Sequence, residues 1–197
     1  MRLPRVLQIT AGSVLPPEEV LARLDRVSTF DVERRARFAV QLRDPELCTR
    51  ELLSFGSVLR ERTASMGAQL VVNDRLDLAE LLGADGVHLG RHSVSPDVVR
   101  EHMGSKVWIS QSCHSMADLE ASLDAGVELS VLCPIFPSPG KAEALGLGGL
   151  RAAIARAAGE AIPIMALGGL DLDGAQACLA AGAAGVASIR SDLTALL

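Results

Sequence analysis

The sequence predicts a closed parallel barrel, (β/α)8, built as one domain over residues 1–197. Three observations predict it. Eight short apolar runs alternate with helical stretches along the chain, and regular alternation argues for parallel strands joined by right-handed crossovers. Three stretches echo one another: LAELLGADGVHLG, LEASLDAGVELSVL and ACLAAGAAGVASI each read as helix, small-residue turn and short strand. Two adjacent runs near the end, Ile164 to Leu167 and Gly185 to Ile189, give way to Gly168-Gly169 and to Arg190-Ser191. Such ends let a ligand approach the backbone, helix-start N–H groups attract anions, and the loops after a barrel's last two strands are a usual phosphate site. A single Gly-Gly is more often a plain turn; the paired arrangement is what points to a ligand. A doubly wound open sheet is the alternative fold, and GAQACLAAG is no dinucleotide fingerprint because no GxGxxG precedes it.

The elements follow in order. Val6 to Thr10 reads as the first strand, and Pro16-Pro17-Glu18-Glu19 opens an amphipathic helix running through Val27, proline and acids both suiting a first turn. Phe38 to Arg43 is the second strand, and Cys48 to Met66 carries helical periodicity through Leu52, Leu53, Val58 and Leu59. Gln69 to Val72 is the third strand, with Asn73-Asp74 as its exit and Leu76 to Leu82 as a short helix. Gly86 to Gly90 is the fourth, followed by Ser95-Pro96-Asp97, a Ser cap with Pro at the first helical position. Val107 to Ser112 and Glu128 to Leu132 are the fifth and sixth, separated by a helix from Met116 to Asp124. Pro134 to Gly149 reads as one long loop, the kind that forms a lid at a barrel's active face. Pro163 to Leu167 and Gly185 to Ile189 close the set, with a helix that begins at an aspartate between them.

Composition narrows the class. Hydrophobic residues make up 49% and charged residues 22%, so the chain is globular, not disordered. Aromatics are 3% with no Tyr, which leaves the core to Leu, Val, Ile and Ala. Net charge is -5 without a basic run, so no nucleic-acid partner is expected and an anionic ligand must be caught locally. No apolar run is long enough to span a bilayer, and MRLPRVLQIT lacks a signal-peptide core; the protein reads as cytoplasmic, without a membrane partner. Cys48, Cys113, Cys133 and Cys178 have neither metal nor disulfide-framework spacing, and Cys48 and Cys178 read as buried, reduced thiols.

In a barrel the chemistry belongs at the C-terminal strand ends, where the polar residues gather. Gln41 and Arg43 share a face of the second strand, and Asn73 and Asp74 end the third. On the fifth, Trp108, Ser110, Ser112 and His114 share one face, which makes His114 a candidate catalytic group beyond the strand's end. Lys141, in the long loop, is placed to meet an anion, although a solvated surface lysine is the plainer reading. His88 alternates with Val87 and Leu89 in a position to enter the barrel, whereas His92 and His102 read as surface residues.

These stretches bring the chain close to a known family. VQLRD (Val40 to Asp44), VVNDRLDLAELLGADGVHLG (Val71 to Gly90), SQSCHS (Ser110 to Ser115), PIFPSPGK (Pro134 to Lys141), PIMALGGL (Pro163 to Leu170) and AGAAGVASI (Ala181 to Ile189) together resemble the thiamine phosphate synthase superfamily, including its thiazole tautomerase branch. The resemblance covers nearly the whole chain and implies a TIM barrel, a thiazole phosphate as small-molecule ligand and, by analogy, a homodimer.

The two branches imply different chemistry. The synthase joins a pyrimidine pyrophosphate to a thiazole phosphate, using Gln, Arg and Lys at the pyrophosphate and two carboxylates on magnesium. Gln41 and Arg43 match, but the Lys position is Pro45; Asp74 matches the first carboxylate, and Ser93 stands where the second is expected. The loop keeps Lys141 but has Ser138 and Gly140 at the family's two threonine positions. Cys133 replaces the usual glycine before proline and reads as a wall residue. A pyrophosphate leaving group needs its charge neutralised, so the losses favour the tautomerase, which needs no metal or other cofactor. The resemblance then makes His114 the acid/base, moving a proton between ring and exocyclic carbon. The phosphate is expected on the backbone N–H groups of Gly168, Gly169, Ala187 and Ser188, with Ser112 or Lys141 assisting. The synthase, with magnesium on Asp74, is the alternative, and a catalytically silent thiazole-phosphate-binding paralogue is a third reading.

Overall fold

A computed structural model describes residues 2–138, 140 and 143–197. Eight parallel strands close into a barrel in sequence order: β1 Val6–Ile9, β2 Phe38–Leu42, β3 Gln69–Asn73, β4 Gly86–Leu89, β5 Trp108–Cys113, β6 Leu129–Leu132, β7 Ile164–Leu167 and β8 Gly185–Ser188. The barrel closes where Val6 pairs with Val186 and Leu7 with Ala187. The helices are α1 Pro17–Ser28, α2 Val32–Arg35, α3 Thr49–Met66, α4 Leu76–Leu81, α5 Pro96–Met103, α6 Met116–Asp124, α7 Gly146–Ala157 and α8 Leu172–Ala180. The predicted fold is therefore the observed one. Among the described residues no helix is long and apolar enough to cross a membrane.

Strand alternation divides the apolar residues into two cores. Leu7, Ile9, Ala39, Val71, Trp108, Leu129, Val131, Met165 and Ala187 fill the barrel interior. The residues between them in sequence, such as Val6, Val40, Leu42, Leu70, Val72 and Ile109, pack outward against helix residues that include Val20, Leu24, Leu59 and Leu119. With no Tyr and few other aromatics, one large ring sets the interior packing. Trp108 is paired in register with Gly86, where an added Cβ would lie 2.5 Å from Trp108 Cε2, so the indole occupies the space that a larger residue would need. Its Nε1 donates to Gln69 Oε1 at 3.0 Å.

Several boundaries differ from expectation. The strands predicted to end at Thr10, Arg43, Gly90 and Ile189 stop one residue earlier, and those predicted to begin at Val107, Glu128 and Pro163 start one residue later. The long loop after β6 ends before Gly146, because α7 begins there, so its last four expected residues are helical; α7 itself and the short α2 were not anticipated. Gly146 (φ 65) starts that helix without a polar cap, which removes the usual sequence signal. Ser95 precedes α5 with Pro96 in the first turn, yet its side chain makes no capping bond. Ser115 and Asp171 do cap, accepting from Asp118 N and Gly174 N. None of the four cysteines forms a disulfide among the described residues; Cys178 is buried as expected, but Cys48 is exposed because it precedes the first turn of α3 instead of lying on its inner face.

Candidate active site

The polar residues collect at the end of the barrel where the strands finish. Gln41 sits two residues beyond the interior Ala39 on β2 and is buried at 1% exposure, and its Nε2 has no hydrogen-bond partner among the described residues. An unpaired buried amide donor costs about 1–3 kcal/mol, which a bound acceptor would offset. Arg43 follows the strand, half-buried, with a main chain held by Thr10: Arg43 N donates to Thr10 Oγ1 at 2.9 Å, and that hydroxyl donates to Arg43 O at 3.2 Å. Its guanidinium makes no hydrogen bond or ion pair among the described residues, so the charge is available to a ligand. Asp44 has a structural task, accepting from Gly12 N at 2.5 Å and Glu46 N at 3.2 Å.

On β3, Asn73 is the last strand residue and Asp74 turns the chain in the left-handed region, at φ 68. A non-glycine residue there is uncommon and carries strain, a state concentrated at functional sites. Asp74 N donates to His88 O at 2.9 Å, which anchors the turn to β4. The exposed carboxylate has neither hydrogen bond nor ion pair among the described residues. Arg43, Asn73 and Asp74 line a cleft of about 300 Å³ together with Pro45 and Leu47.

At the centre stands His88. Its Nδ1 lies 2.8 Å from Ser110 Oγ and its Nε2 2.9 Å from Ser112 Oγ. Burial first, then the Arg43 cation and His114, push its pKa down to about 4, with Asp74 opposing. The ring is therefore neutral at pH 7, so one nitrogen donates and the other accepts. Arg43, Asp74 and His114 are thus close enough to act on its charge.

His114 lies just past β5. Its N–H donates to Asp118 Oδ2 at 2.8 Å, and its Nδ1 lies 3.0 Å from Cys133 O and 3.3 Å from Cys133 Sγ. A carbonyl can only accept, so Nδ1 carries the proton in the neutral ring and Nε2 is the basic nitrogen. Nε2 has no partner among the described residues.

The last two loops complete the mouth. Gly168 (φ 98) and Gly169 (φ 66) both lie in the region that favours glycine. An added Cβ at Gly168 would fall 2.8 Å from Pro134 Cα, and one at Gly169 2.7 Å from Pro137 O. Neither amide donates to a main-chain carbonyl among the described residues. Ala187 and Ser188 are the final residues of β8, in register with Leu7 and Gln8. Ser93, at the expected second carboxylate position, has a loop role, with its Oγ accepting from Gly90 N at 2.7 Å. Lys141 lies outside the described residues.

The structure thus brings Gln41, Arg43, Asn73, Asp74, Ser112 and His114 to one end of the barrel around His88. His88 had no assigned role from sequence; the available signal was its place opposite Ser110, which becomes visible only when β4 and β5 are put in register.

Fold and site together define a (β/α)8 barrel with a polar mouth at its C-terminal end. The family model described as thiamine monophosphate synthase matches residues 31–191, and the chain belongs to that family. It is 40% identical over 155 residues to a putative thiamine-phosphate synthase of Geobacter sulfurreducens, covering 77% of this chain and 71% of that protein. It is 38% identical over 160 residues to a thiamine-phosphate synthase of Moorella thermoacetica, covering 80% and 75% respectively. Among solved structures, a thiamine phosphate pyrophosphorylase from Pyrococcus furiosus superposes with a TM-score of 0.81 at 28% identity, over 97% of this chain and 90% of that one.

Proposed function

We propose that this chain is an enzyme of thiamine biosynthesis that binds a thiazole phosphate in its barrel mouth, and that its reaction is that of a thiamine phosphate synthase. The observation that carries this reading is Asp74, a carboxylate in a strained backbone conformation, exposed and without a partner among the described residues, in the cleft that also contains Arg43. The synthase names of the relatives support the same reading and weigh against placing the tautomerase first.

Magnesium fits this donor set in one way. Among the described residues no three His, Cys, Asp or Glu side chains group around a common point, so a cage made by protein alone is not offered. Magnesium is usually held by one or two carboxylates together with substrate phosphates and water, and Asp74 supplies one such carboxylate. When bound, the ion would neutralise charge on a departing pyrophosphate.

The chain's own residues have distinct tasks in that reaction. As the pyrimidine's carbon–oxygen bond to pyrophosphate breaks and its bond to the thiazole forms, negative charge grows on the leaving group. Arg43 faces that charge, and a guanidinium can stabilise it without a proton transfer. Gln41 offers its unpaired amide donor to a ring or phosphate oxygen acceptor. His88, neutral, holds Ser112 in place without adding a second cation. The thiazole's own phosphate rests at the amides of Gly168 and Gly169 and of the β8 end.

A second reading, thiazole tautomerisation, is favoured by His114, whose Nδ1 is held by the Cys133 carbonyl and whose Nε2 is free to take and return a proton. Pro45 and Ser93, at positions where the synthase pattern has cation and carboxylate, support it too. One assay separates the readings: both synthase substrates with magnesium, with pyrophosphate release measured. Release that a chelator abolishes supports the synthase. No release, with accelerated aromatisation of the carboxythiazole phosphate in chelator, would replace it with the tautomerase; binding without either reaction would leave the silent paralogue.

A further inference from the structure

The loop after β8 is held in shape from the first βα unit. Gln8 on β1 points away from the barrel axis, since its neighbours Leu7 and Ile9 belong to the interior core. Its Nε2 donates toward the carbonyls of Ile9, Ser188 and Ile189 at 3.0, 3.3 and 2.9 Å. Its Oε1 accepts from Arg23 Nη1 at 2.5 Å. Arg23, on α1 and only 5% exposed, also donates to Ser191 O at 3.0 Å and Arg190 O at 2.6 Å. Two side chains thus gather three successive carbonyls, those of Ile189, Arg190 and Ser191, on the α1 side of the loop.

In a trans peptide the N–H is antiparallel to the C=O, so fixing the Ile189 carbonyl toward Gln8 turns the Arg190 N–H away from α1. The next N–H, that of Ser191, donates to Ser188 Oγ at 2.9 Å and closes the turn. The Ser191 hydroxyl donates to Leu170 O at 2.5 Å, tying this loop to the one after β7 that contains Gly168 and Gly169. Both halves of the anion-accepting mouth are therefore set by one network. Oriented backbone amides make an anion site only when their directions are fixed.

The choice of arginine also needs a reason. Arg23 is buried among carbonyls and forms no ion pair among the described residues, although Asp192 and Glu19 lie near enough to favour its charge, and its Nε is unpaired among the described residues. A buried charge is weak evidence for stability, because a well-packed apolar side chain often serves the fold equally well. Arg23 does supply two things leucine cannot: donors for two loop carbonyls, and a positive charge behind the loop that faces the ligand.

We propose that Arg23, braced by Gln8, is a positioning residue for the phosphate site: it fixes the loop after β8 and sets the affinity for the ligand's phosphate group without touching it. The proposal rests on reading the mouth of β7 and β8 as the phosphate site. Full-length protein is titrated with inorganic phosphate, with the thiazole phosphate, and with the same thiazole alcohol lacking phosphate. Arg23→Leu and Arg23→Lys are compared with wild type, with the thermal midpoint measured alongside. Arg23→Leu should bind both phosphate ligands about tenfold more weakly, the effect of losing one or two fixed hydrogen bonds, and keep its affinity for the alcohol. Guanidinium ion added to that variant should restore part of the loss, and Arg23→Lys, which keeps the charge but not the fork, should fall between. Wild-type phosphate binding with unchanged affinity in both variants would overturn the role of Arg23 and leave the phosphate site standing. An equal loss for the alcohol would also overturn it, as general damage. Failure of the wild type to bind phosphate would bring down the phosphate site and the inference together. Should Arg23→Leu not fold, Arg23→Lys decides alone.

Discussion

His88 Nε2 lies 2.9 Å from Ser112 Oγ while its Nδ1 lies 2.8 Å from Ser110 Oγ, so one buried imidazole sets the direction of both hydroxyls inside the barrel. With its pKa lowered from 6.5 to about 4, the ring stays neutral in the fold at pH values where the unfolded chain would protonate it. The unfolded state therefore binds more protons between those limits, and stability rises with pH across them. The contribution is fully present above pH 6.5 and is lost as pH falls toward 4. Its size is about 3 kcal/mol at most, from 1.36 kcal/mol per pKa unit. Urea unfolding of wild type and His88→Gln at pH 7 and 4.5 checks this. Wild type should lose more stability than the variant on acidification, and equal losses would remove His88 as the cause.

Asp74 combines a left-handed backbone at φ 68 with a carboxylate that has no partner among the described residues, and on the synthase reading stability and activity should separate there. Asp74→Gly, relieved of the left-handed backbone at φ 68, should gain about 1 kcal/mol of stability. The same variant, and Asp74→Asn, should lose at least the roughly 10- to 100-fold typical of residues that support a metal. A thermal melt and a pyrophosphate-release assay on both variants test the pair of effects; full activity in Asp74→Asn would exclude the carboxylate from the reaction.

His114 distinguishes the two reactions. If tautomerisation is the activity, His114→Gln should lower kcat by about 100-fold or more, the contribution of a positioned acid/base, with little change in ligand affinity. If condensation with a pyrimidine pyrophosphate is the activity, the same change should have a much smaller effect, because no proton transfer depends on Nε2. Parallel measurement of kcat and KM in both assays decides it.

Gly168 has no room for a side chain. Gly168→Ala would bring a Cβ to within 2.8 Å of Pro134 Cα at a φ of 98, and is expected to destabilise the fold by about 1–3 kcal/mol. Moving this turn should also weaken phosphate binding, read by titration with inorganic phosphate. A fully stable variant with unchanged phosphate affinity would count against both the packing and the site.

Much of the barrel was legible because its signals are local. Alternation of apolar runs located all eight strands to within a residue or so, and Pro17 and Asp171 marked their helix starts. Helix α7 was not legible, since it opens on Gly146 with no polar cap. The polar cluster was legible as residue types at strand ends: Gln41, Arg43, Asn73, Asp74, Ser112 and His114 all lie at or just past the C-terminal ends of their strands. Which of them is free was not. Asp44 and Asp74 look alike as letters, but one is tied to Gly12 and Glu46 and the other has no partner among the described residues.

The sequence by itself determined the eightfold βα alternation, the family and the gathering of polar residues at the strand ends, because each depends on spacing within one or two elements. Only the tertiary structure decided that His88 is the centre of the polar mouth, that Asp74 is strained, and that Arg23 reaches the loop after β8. These are relations between residues up to 168 positions apart. Closing the barrel brings β1 beside β8, and a contact made by closure leaves no periodic trace in the chain.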